Sequence, residues 1–237
     1  MRHFTAGFLL LLISSQAAWG NTTVRYRGVA RTGDRVAYIE EHTVDYADSG
    51  RLLAAVTLYA SESGKPIAEM HSDFRDSLTV PTHTIKDFRT GNVQGLRREN
   101  GQVVLYDRDA GKPERTRIIR DSDAESRILV GCQGLNYYLL DNLERMKPGQ
   151  VLPLRFLIPG KLDHYDFQLA RVSQSGAGIT VFEITIKSWL LKLFAPKLLV
   201  KYDRNLKRIV WYEGLSNITN DEGHNQSVTI TYSYEQK

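Results

Sequence analysis

Apolar and polar positions alternate along most of the chain. In RVAYIEEHTVDY (35–46), Val36, Tyr38, Glu40 and His42 fall on one face, and Ala37, Ile39, Glu41 and Thr43 on the other. That period of two is the signature of a strand with one face turned inward. Similar runs follow one another: TVRYRGVA, LLAAVTLYAS, PIAEMHSDF, THTIKDFRT, NVQGLRREN, QVVLYDRD and RTRIIRD. Gly, Asp, Asn or Pro separates them, and Asn100-Gly101 between two runs is a strong hairpin signal. Strands at roughly ten-residue spacing predict an antiparallel meander rather than βαβ units.

One segment has the helical period instead. Leu135, Tyr138, Leu139, Asn142, Leu143 and Met146 recur at steps of three and four, which predicts a helix over 135–146 ended by Lys147-Pro148-Gly149. A helix with a single apolar stripe needs a sheet to lie on. Strand patterns resume at 150–176, 178–188, 197–214 and 226–235, with a hairpin around Asp203-Arg204-Asn205 and a turn around Asp163–Asp166. The predicted fold class is mainly β: one large, curved, unclosed antiparallel sheet (a half-barrel), one main helix, and a short helical lid at 188–195 ended by Pro196.

The start of the chain breaks this pattern. A basic Arg2-His3, an apolar core at Phe8–Ile13, and Ala18 and Gly20 as a small-x-small pair follow the plan of a secretory signal. Cleavage is expected after about Gly20, leaving residues 21–237 as one β-rich domain in the periplasm. Net charge is only +4, with acids interrupting nearly every basic cluster, so nucleic acid is not an expected partner. Cys132 is the only cysteine, which excludes an internal disulfide.

Candidate chemistry is sparse. Cys132, in GCQG just before the helix, and His164, on a downstream strand, would suit a cysteine hydrolase, but no signature of one surrounds them. Glu40 and Glu41 point to opposite faces and so form no acid/base pair. The histidines lack zinc-ligand spacing, and neither metal nor other cofactor is expected. The most apolar mature segment, SWLLKLFAPKLLVKY (188–202), collects Trp189, Leu190, Leu193 and Phe194 beside Lys192 and Lys197. Such a mixture suits a lid over an apolar cavity, with the lysines at the rim near an anionic headgroup and peripheral contact with a membrane.

The stretches GLNYYLLDNLERMKPGQVLPLRFLIPGKLDHYDFQLARV and KSWLLKLFAPKLLVKYDRNLKRIVWYEGLSNI resemble a group of exported proteobacterial proteins similar to DUF3108. That group resembles in turn the LolA/LolB lipoprotein carriers, which implies a half-barrel with helices plugging its concave face. The resulting expectation is non-catalytic binding of a lipid or other apolar ligand at the cell envelope. The alternative is an envelope scaffold that binds a protein partner and has a filled core. A hydrolase using Cys132 and His164 is the third reading.

Overall fold

The computed structural model describes residues 22–120, 127–172, 178–187 and 197–235. The expected signal segment lies outside the described residues, as do five of the expected lid residues: Trp189, Leu190, Lys192, Leu193 and Phe194. The chain forms one sheet of 15 strands. Its first half comprises β1 (Thr22–Thr32), β2 (Arg35–Tyr46), β3 (Leu52–Ala60), β4 (Pro66–Asp73), β5 (Thr82–Asp87), β6 (Val93–Glu99), β7 (Gln102–Arg108) and β8 (Arg115–Ile119). The second half comprises β9 (Ile128–Gly131), β10 (Val151–Ile158), β11 (Asp163–Arg171), β12 (Ile179–Ile186), β13 (Leu198–Asp203), β14 (Arg208–Leu215) and β15 (Ser227–Tyr234). Among the described residues there is one α-helix, α1 (Gly134–Asp141), which follows β9.

Strands β1 to β8 form one meander and β10 to β15 another, joined where β15 pairs antiparallel with β1. Only β9 runs parallel to its neighbour, β10. The two free edges, β8 and β9, therefore come from adjacent parts of the chain. So wide a twisted sheet has to curl. Its ends meet through side chains: Leu96, Leu105 and Ile119 pack with Leu157 from β10. Arg117 on β8 pairs with Asp163 and also donates to the Leu162 carbonyl. No backbone ladder joins β8 to β9 among the described residues, so the barrel is approached but not closed.

Alternate connections of a meander share an end, so the turns at 33–34, 61–65, 88–92 and 109–114 and the longer loop 216–226 form one rim. That loop crosses toward the first half of the sheet. Ser216 hydrogen-bonds the Tyr38 hydroxyl at 2.7 Å, Asn217 Nδ2 donates to the Tyr59 hydroxyl at 3.1 Å, and Arg89 Nη1 donates to the Thr219 carbonyl at 3.0 Å.

Two expectations need correction. The helix is shorter than 135–146: beyond Asp141 the chain opens into turns, with the Leu143 N–H reaching the Leu140 carbonyl at 3.3 Å instead of continuing the α-helical ladder. The apolar stripe nevertheless stays inward, with Leu139, Leu143 and Met146 buried. Asp163 and Asp166 lie within β11 rather than in a turn. The reversal comes earlier, at Pro159–Lys161, where Leu162 closes a 3-10 turn in the left-handed region. The Asn100-Gly101 hairpin joins β6 to β7 as expected, both residues at positive φ.

Candidate functional site

The densest gathering of reactive side chains lies inside the curl, where residues 131–134 lead into α1. Strand pairing aligns Tyr26, His42, Thr57 and Met70 in one inward row across β1 to β4. Glu40, two residues before His42, shares that face. Gly28 lies opposite Glu40 and leaves it room: a Cβ there would meet Glu40 Oε2 and the Tyr232 ring, each at 2.9 Å.

These groups form one chain of hydrogen bonds. Gln133 Nε2 donates to Thr57 Oγ1 at 2.8 Å. Thr57 Oγ1 also meets His42 Nδ1 at 2.9 Å. His42 Nε2 then meets Glu40 Oε2, also at 2.9 Å. The imidazole stacks on the Tyr26 ring with centroids 4.2 Å apart. Tyrosines enclose the carboxylate. Burial first, and the Glu40 charge second, push the phenols of Tyr38, Tyr59, Tyr212 and Tyr232 above their ordinary range. These phenols stay neutral and keep their protons.

A hydroxyl, an imidazole and a carboxylate in series are the parts of a nucleophilic triad. Here, however, Thr57 is 0% exposed and its oxygen is already occupied by Gln133, which comes from the plugging segment itself. A nucleophile needs an open approach to its oxygen, and none is left. The chain instead fastens residue 133 to the sheet.

Cys132 belongs to the same anchor. Its thiol contacts Met70 Sδ at 3.2 Å, and burial pushes its pKa up to about 12, the reverse of what a thiolate nucleophile needs. No hydrogen bond joins it to His164, which lies two strands from Gly131 through Leu157. Cys132 packs with the cluster around Tyr59 and Met70, whereas His164 lies on β11 opposite Leu157. Lys197, expected at the rim of the lid, lies just before β13 and pairs with Glu183 at 3.2 Å. Sequence reading placed Glu40 and His42 on one inward face but did not couple them. The i, i+2 spacing of a carboxylate and an imidazole on that face was the available signal.

The rest of the plug packs on the other half of the sheet. Tyr138, Leu139, Leu143 and Met146 join Leu154, Leu169, Phe182, Val200 and Tyr202 in one buried cluster. Tyr202 donates its hydroxyl proton to Asn136 Oδ1 at 2.8 Å. Arg171, itself buried, donates to the carbonyls of Leu143 and Met146, placing its charge where the carbonyls at the end of the plug gather. Both flanks of the half-barrel are thereby tied to one segment.

Comparison with known proteins adds little. No protein-family model matches the chain, and no curated protein matches it. Among solved structures, the chain is similar to a β-barrel-like protein of domain of unknown function DUF1849 from Brucella abortus. The TM-score is 0.44 at 7% identity, over 90% of this chain and 96% of that one. Kinship with DUF3108 or with the lipoprotein carriers is not among these findings; what the chain's own coordinates give is a mostly β, barrel-like fold.

Proposed function

We propose that this is an exported, non-catalytic binding protein of the cell envelope whose half-barrel interior is structural core, leaving recognition to its outer surfaces and loop rim. The observation that carries this reading is the plug: Leu139, Leu143 and Met146 occupy the concave side, and Gln133, Cys132 and Arg171 tie the same segment to both walls. Export is supported by the signal-like pattern of residues 2–20. Between the two non-catalytic readings, geometry favours the filled core. An acyl chain in the same space would have to displace these side chains, giving up about 2–5 kcal/mol for each large one lost from the core.

Native mass spectrometry of the protein purified from its own envelope tests this directly. The expected result is the mass of the bare mature chain. A tightly held acyl ligand would return the carrier reading. A fluorophosphonate adduct on Thr57 in the native protein would return a catalytic one.

A further inference from the structure

At the rim, where the β5–β6 turn meets the 216–226 loop, lies an open cavity of about 250 Å³. Its floor is apolar, made by the buried side chains of Ile85 and Ile218. Its walls carry two carboxylates, and both are already committed. Asp87 accepts from the backbone N–H of Arg89 at 2.8 Å and from its guanidinium through Nε at 3.2 Å and Nη2 at 2.6 Å. Asp109 accepts from Lys112 Nζ at 3.1 Å and from Asn92 Nδ2 at 3.3 Å. Arg89 is spent as well, since it also reaches the Thr219 carbonyl at 3.0 Å and Asp221 at 3.4 Å.

What remains available is neutral. The Gln94 amide lines the cavity with no hydrogen-bond partner among the described residues. Asn217 uses its Nδ2 on Tyr59 and keeps its carbonyl oxygen. Thr219 Oγ1 accepts from Arg89 Nη2 at 3.3 Å and keeps its hydroxyl proton. These neutral groups stand around an apolar floor, and the two carboxylates that line the cavity, Asp87 and Asp109, are each bonded to a cation. The Arg89 bridge also holds the two loops together before any ligand arrives, which lowers the ordering cost of binding.

From this we infer a binding site for a small, uncharged polyhydroxylated ligand of the monosaccharide class, a reading that rests on the non-catalytic binding role proposed above. Hydroxyl groups, each donor and acceptor, match the amides and the threonine hydroxyl. The C–H face of a sugar ring matches Ile85 and Ile218. Among the lining residues a phosphate or an ammonium group would find no unpaired counter-charge and would bring a desolvation cost instead.

Saturation-transfer NMR on the full mature chain tests the site, with glucose, galactose and N-acetylglucosamine as uncharged probes and glucose 6-phosphate and glucosamine as charged ones. The expected result is transfer to at least one uncharged sugar, insensitive to salt and stronger than to either charged analogue. Gln94→Ala should weaken that binding about tenfold, the effect of one lost hydrogen bond, with only a small drop in melting temperature, since the Gln94 amide also packs against Gly160. Thr219→Val serves as a second variant, expected to weaken binding similarly with a small loss of stability, because Thr219 Oγ1 also accepts from Arg89 Nη2. No transfer to any uncharged sugar, undiminished binding in both variants, or a preference for a charged analogue would overturn the assignment. A null result leaves the filled-core reading intact, since native mass decides that reading separately.

Discussion

His83 shows what a single buried side chain does to the whole. It lies on β5 facing inward, 3% exposed, and its Nδ1 has no partner among the described residues. Burial pushes the imidazole pKa down to about 4 from an ordinary 6.5, with the Pro81 carbonyl opposing. The unfolded chain therefore takes up a proton below 6.5 that the folded chain refuses. Stability should be full above that pH, fall between 6.5 and 4 by about 3 kcal/mol, and level off below. Arg75 and Arg155 hold the carboxyls of Asp73 and Asp166 below the ordinary 3.8, so their contribution is lost only in more acidic solution. Urea melts across that window should show the slope in wild type and its absence in His83→Gln. Thr57 offers a second test at this scale. Thr57→Val keeps the shape but leaves both His42 Nδ1 and Gln133 Nε2 unpaired, so a loss of about 1–3 kcal/mol is expected. The loss should be smaller in a Gln133→Leu background, because the two residues share one hydrogen bond.

Among the elements, the plug is where sequence and structure agree in substance and differ in form. The stripe Leu139, Leu143, Met146 was legible because burial of one face sets a three-to-four period, whether or not every turn is a regular helix. The early end of α1 was not, because the turns that follow Asp141 bury the same stripe and leave its period unchanged. The individual strands were legible from alternation, but their register was not. A shift between Asp45 and Tyr46 moves β3 by one residue, so counting from the 47–51 turn would not have paired His42 with Thr57. Strand β9 escaped notice because four residues in a parallel pairing carry no turn signal and too short a period. If the plug is core, Leu143→Ala and Met146→Ala should each cost about 2–5 kcal/mol in denaturant melts. Costs under about 1 kcal/mol would mean that the segment contributes little packing. Gly28→Ala should also destabilise, since the added methyl group meets Glu40 and Tyr232.

For the whole molecule, two meanders meet at β1 and β15, and the plug ties the walls that this junction leaves apart. The half-barrel was legible as a class, since many evenly spaced strands and one helix admit few other arrangements. The polar anchor inside it and the cavity on its rim were not, because both bring together residues from distant hairpins. The central claim is that the interior is filled and fastened, so that the plug leaves only when the protein unfolds. Alkylation by iodoacetamide of the thiol introduced by Leu143→Cys, in a Cys132→Ala background and at rising urea concentrations, reads this most directly, because Leu143 is buried in the plug whereas Cys132 is only partly buried. The account predicts that the free energy of opening obtained from that labelling equals the free energy of global unfolding of the same variant. Rapid labelling in the absence of denaturant, with an opening free energy far below the global value, would contradict it and make the plug a gate.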